Sequence, residues 1–202
     1  AASRRRRDRG RGRRGDPVSG TGPAARPPPG APSLPEPLRN KRQLGGDASF
    51  CFDCRPELKC FPRCCSDVNI VLTPADVLAI SRRTGLGTRE FLDRRTLTPI
   101  TRELHLPVVM LRMEKDRENR CPFVGEQGCT VYQARPWACR MYPVGMALPP
   151  ARPGVAPEPA HFLFEDDFCD GRGESRTWTV ASWQHDQGLH ERDDLEQGFR
   201  EL

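Results

Sequence analysis

The chain has 202 residues, 36% of them apolar, with 21 prolines, nine cysteines and a formal charge of +5. No apolar run approaches the roughly 20 residues that a membrane-spanning helix requires, which excludes channels and carriers built from such helices and predicts no membrane association. So lean an apolar content predicts that something besides hydrophobic burial helps to hold the fold, and cysteine is the obvious means.

Charge is unevenly spread. Residues 1–50 carry twelve Lys or Arg against four acids, leaving 20 against 23 in the remainder, so the positive balance belongs to the leading segment. Residues 1–48 are Arg, Gly, Pro and Ala with almost nothing to bury, and they read as a disordered N-terminal tail. Arginines 4–14 suit an arm on nucleic acid, because Arg clusters release counterions around phosphates; a solvated low-complexity leader is the preferred reading, since no aromatic side chain is interleaved to stack on bases. Ser3-Arg4-Arg5-Arg6-Arg7 lies where a signal peptide would need an apolar stretch, so the expected compartment is the cytoplasm, where thiols bind metals or do chemistry more often than they form disulfides.

Residues 49–190 read as one cysteine-cluster domain. Its first part, 50–70, is too rich in Cys and Pro for a long regular element. Val68-Asn69-Ile70-Val71-Leu72 predicts a short strand, and Thr73, Pro74, Asp76 and Gly85 are the start and stop signals of a helix over 73–84 with Val77, Leu78 and Ile80 inward. Thr88 predicts the cap of a second helix, Phe91 and Leu92 inward, and Val108 to Met113 a strand before the charged turn Glu114 to Arg120.

Gly125 and Gly128 then mark a hairpin that brings Cys121 and Cys129 together as a metal-binding knuckle. Residues 133–143 predict a short helix carrying Cys139 toward it, 149–160 a Pro-rich loop, and His161 to Glu165 a strand leading to Cys169. Thr179 caps a helix stopped at Gly188, and 191–202 read as a C-terminal helical extension. The expected fold class is therefore α+β: a small, irregular, metal-organised domain of short helices and strands.

Nine thiols cannot all pair within one chain. Cys64 and Cys65 are poorly suited to each other, since adjacent Cα atoms lie about 3.8 Å apart, below the usual disulfide range of roughly 4.4–6.8 Å. One structural zinc contributes on the order of 10–16 kcal/mol of apparent binding energy to folding, against roughly 2–4 kcal/mol for a disulfide. Setting one cysteine aside leaves two sets of four, which suit tetrahedral zinc or a cubane iron–sulfur cluster, and spacing does not choose between them. Cys51-Phe52-Asp53-Cys54 is the one C-x2-C. Among the histidines, His105, His185 and His190 read as surface or packing residues, and His161, close before Cys169, is the nearest to a ligand. Arg135 and Arg140 flank Cys139, either as cations beside a thiolate centre or as plain surface residues.

Taken together, Phe52-Asp53-Cys54, Cys60, Cys64-Cys65, then Ile70-Val71-Leu72-Thr73-Pro74-Ala75-Asp76, then Cys121-Pro122-Phe123, Gly128-Cys129-Thr130-Val131-Tyr132, Arg135-Pro136 and Cys139-Arg140-Met141-Tyr142-Pro143 resemble the YkgJ-type cysteine-cluster proteins, a zinc- or iron-chelating domain. The resemblance covers about residues 50–190. It implies metal ligation by Cys54, Cys60, Cys64, Cys65, Cys121, Cys129 and Cys139, with Cys169 as the eighth, and a cofactor that is zinc or iron, including an iron–sulfur cluster. The expected function is metal binding. With all eight thiols occupied no coordination position stays open for Lewis-acid catalysis, so the expectation leans away from an enzyme. The alternative is an iron–sulfur redox protein or an enzyme built on such a cluster. A metal ion is the only partner these residues name.

Overall fold

The computed structural model describes residues 38, 41–45, 47–100, 106–148, 158–191 and 193. The tail expected over 1–48 thus lies outside the described residues apart from Leu38, 41–45, Asp47 and Ala48. Most of the Pro-rich loop, the C-terminal extension beyond Glu191 and Asp193, and His105 lie outside them too. The architecture is α+β, with short helices and short antiparallel strands.

Long-range pairing begins earlier than the sequence suggests. Strand β1 (Arg42–Leu44), read with the leading arm, pairs antiparallel with β8 (Ala160–Leu163), which also pairs with β7 (Val144–Ala147). Leu44 explains the difference: it is buried, and it anchors the strand. Strand β2 (Ser49–Cys51) pairs with β9 (Thr177–Thr179), Phe50 opposite Trp178. Alternation along a strand sends Phe50 inward and Cys51 outward, and Phe52 beyond the strand end is buried again. Phe50, Phe52, Trp178, Trp183, Met141, Leu163 and Leu189 form one apolar cluster, in which the Trp178 indole N–H donates to the Phe52 carbonyl at 2.8 Å.

The second cluster gathers Leu72, Val77, Ile80, Phe91, Leu111, Phe123 and Val131. Helix α1 (Pro74–Thr84) contributes through Val77 and Ile80. It starts in a capping box in which the Thr73 hydroxyl accepts the Asp76 N–H and the Asp76 carboxylate accepts the Thr73 N–H, and Gly85 ends it at φ 72°. Helix α2 (Thr88–Arg95) follows with Gly87, rather than Thr88, at the cap and Phe91 buried.

Three expected elements are shorter than read. Val68 to Leu72 forms no strand, only an isolated bridge from Val71 to Met110. Of 108–113, only β4 (Met110–Leu111) pairs, with β3 (Thr96–Leu97). Helix 133–143 is broken by Pro136, which holds Arg135 extended at ψ 148°, leaving a 3-10 turn over Tyr132–Ala134 and helix α3 (Trp137–Met141). Helix α4 (Val180–Asp186) has the expected Thr179 cap.

Candidate metal centre

All nine cysteines are free. The first loop is a series of turns ending in a 3-10 turn over Arg63–Cys65, with the Arg63 N–H on the Cys60 carbonyl. Two contacts close this loop onto the Cys169 segment: the Asp170 N–H donates to the Cys60 sulfur at 3.3 Å, and the Asp53 N–H to the Gly171 carbonyl at 3.0 Å. A Cβ on Gly171 would meet the Asp53 carbonyl oxygen at 2.7 Å, so only glycine permits this approach. The Arg63 guanidinium over the Phe168 ring, 5.7 Å from its centroid, seats the turn against the same segment. Cys54 accordingly has Cys64, Cys169 and Cys60 as electrostatic neighbours. Burial first, then those sulfurs, pushes its thiol up to about 11.

The second half of the thiols converges elsewhere. The Cys121 N–H donates to the Cys65 carbonyl at 2.8 Å. Strands β5 (Val124–Gly125) and β6 (Gly128–Cys129) form the predicted hairpin, Val124 opposite Cys129. Gly128 sits at φ 103°, and a Cβ there would meet the Phe61 ring at 2.7 Å, so the first loop packs on the hairpin tip. Burial raises the Cys121 and Cys129 thiols, and the backbone N–H groups of Phe123 and Val131 oppose it, as a knuckle's amides favour thiolates.

Helix α3 brings Cys139 to this hairpin because the buried Asp76 carboxylate accepts the Trp137 N–H at 2.9 Å, tying the start of α3 to the start of α1. Cys139 keeps a solvent-facing edge while protein crowds it on its other sides. Burial, then Cys121, Cys129 and Asp76, pushes its thiol up to about 12, and Arg135 opposes this.

Cys64 and Cys65 join the two halves. The neighbouring Cys64 and Cys65 side chains act on each other, which lowers the Cys64 thiol to about 7 and raises that of Cys65. Among the described residues no three His, Cys, Asp or Glu side chains stand close enough to hold an ion in this arrangement. The sulfurs are gathered but not closed around a point, with the vicinal pair engaged with each other. The donor set itself fits a soft metal: every gathered group is a thiol, the ligand that selects zinc and iron–sulfur clusters.

The chain was also compared with known proteins. A model of the CxxCxxCC family, described as a putative zinc- or iron-chelating domain, matches residues 53–170. The chain belongs to that family. No curated protein and no solved structure matches it.

In this CxxCxxCC domain the structure separates some sequence candidates from others. Cys51 stands apart on the exposed face of β2, its sulfur 3.8 Å from the Thr177 hydroxyl. His161 pairs through β8 and contacts Gln184 at 3.4 Å. Arg135 lies over the Tyr132 ring, 3.8 Å from its centroid, bonds to Gln187 and favours the charged forms of Cys129 and Cys139. Arg140 is a backbone clamp, donating to the carbonyls of Gln133, Arg135 and Gln187. The Tyr142 hydroxyl bonds to the Asp166 carboxylate at 3.2 Å, a link across 24 residues that local pattern does not signal.

Proposed function

We propose that this CxxCxxCC domain is a metal-binding module that chelates zinc or iron through the thiolates of Cys54, Cys60, Cys64, Cys65, Cys121, Cys129, Cys139 and Cys169. The observation that carries the reading is the Asp170 N–H donating to the Cys60 sulfur at 3.3 Å, alongside the Phe123 and Val131 backbone N–H groups, which favour the charged forms of Cys121 and Cys129. A thiol gains little from such donors, whereas a thiolate gains a charge-assisted bond from each. Uptake of an ion displaces the thiol protons, and Arg135 and Arg120 lie where they offset the negative charge then gathered on sulfur. Nine free thiols suit a reducing compartment such as the cytoplasm.

Anaerobic purification with metal and sulfide counts tests the proposal. A colourless protein carrying zinc supports a structural or metal-handling module. A brown protein with matching iron and sulfide supports the iron–sulfur form, including the redox alternative. A folded chain without metal, all eight thiols open to alkylation, overturns the proposal.

A further inference from the structure

The eight thiols divide along a line that spacing does not draw. Cys54 has Cys60, Cys64 and Cys169 for neighbours, and backbone contacts from Asp53 to Gly171 and from Asp170 to Cys60 fasten these segments together. Cys121 has Cys129, Cys139 has both, and Cys65 has Cys121 and Cys139; the Cys65 carbonyl, the β5–β6 hairpin and the Asp76 link to α3 fasten these. Cys64 and Cys65, adjacent in sequence, stand where the two groups meet. In a 3-10 turn successive side chains point about a third of a turn apart, so adjacent residues naturally face different neighbours.

We infer that the domain holds two separate four-thiolate sites, Cys54, Cys60, Cys64 and Cys169 in one and Cys65, Cys121, Cys129 and Cys139 in the other, with the vicinal pair divided between them. This rests on the proposed metal binding and specifies its stoichiometry and ligand partition. Each ion displaces the protons still held by its four thiols, and those protons leave to solvent.

Cobalt(II) titration of the full, reduced, metal-stripped chain reads the partition through the absorption of tetrahedral thiolate cobalt. Two equivalents are expected. Cys54→Ser with Cys60→Ser, and separately Cys121→Ser with Cys129→Ser, should each leave one full equivalent, while Cys54→Ser with Cys121→Ser should leave none at full intensity. Wild-type uptake of a single equivalent, loss of both sites in a same-site pair, or an intact site in the cross-site pair overturns the partition and leaves metal binding standing. Wild-type protein that takes up no cobalt overturns metal binding itself. Alkylation of wild-type chain at one equivalent of cobalt, read by mass spectrometry of intact molecules, needs no variant to fold: molecules that keep four thiols protected are expected to keep either Cys54, Cys60, Cys64 and Cys169 or Cys65, Cys121, Cys129 and Cys139. Four-thiol molecules in which Cys64 and Cys65 are protected together overturn the partition.

Discussion

The Asp76 carboxylate and the Trp137 amide meet at 2.9 Å across 61 residues of sequence, and the same carboxylate closes the capping box of α1 through Thr73. Asp76 is wholly buried, so removing it strands two amide donors. Asp76→Ala should destabilise the domain by roughly 2–4 kcal/mol, from the lost cap and an unsatisfied buried donor. Chemical denaturation measures this. Asp76→Asn, which keeps an acceptor toward Trp137, should cost less and should also lower the Cys139 thiol by removing a neighbouring negative charge.

Arg135 favours the charged forms of both Cys129 and Cys139. Arg135→Ala should weaken metal retention by roughly 10-fold or more, the usual size of such supporting contacts, read by competition with a chromophoric chelator. Arg135→Lys should recover only part of it, since an ammonium replaces the charge but not the planar stack on Tyr132.

Acidity should act on the loaded and the empty chain in opposite senses. Burial holds the Cys54 and Cys139 thiols up at about 11 and about 12, so near neutral pH both carry protons that an ion must displace. Metal affinity should therefore climb as pH rises, most steeply where several protons leave together. In the metal-free chain the same raised values lie above the ordinary 9.0. Their contribution to stability is complete below about 9 and is lost as pH rises toward 11 to 12. Denaturation midpoints of stripped protein should fall between pH 9 and 11; midpoints that rise there would contradict the assignment.

Gly171→Ala should be costly despite its size. The new methyl group would meet the Asp53 carbonyl, a backbone atom that cannot swing aside, so a loss of about 1–3 kcal/mol is expected from overpacking. Reactivity of Cys54 toward alkylation in the stripped protein should change with it, while Cys121 and Cys129 should not respond.

Local chemistry was legible wherever a residue acts on its near neighbours. Thr73, Asp76 and Gly85 marked both ends of α1, Gly125 and Gly128 the hairpin, and Thr179 the start of α4, because caps and tight turns depend on side chains a few positions apart. The pairing of β2 with β9 was illegible, since nothing near Ser49 signals Thr179 130 residues later. Val68 to Leu72 misled because a β-rich composition cannot report whether a partner strand is present. The family resemblance named the eight cysteines, yet Asp76 read only as a helix-start residue: its hold on α3 exists only once α1 and α3 lie side by side.

The β2–β9 pairing also sets a schedule for biosynthesis. At about 5–20 residues per second, translation takes on the order of ten seconds to travel from Phe52 to Trp178, and until then the edge of β2 and the ring of Phe52 lack the partners that cover them. On the inferred partition, Cys54, Cys60 and Cys64 pass most of that interval before Cys169 emerges, whereas Cys65, Cys121, Cys129 and Cys139 have all emerged 30 residues sooner.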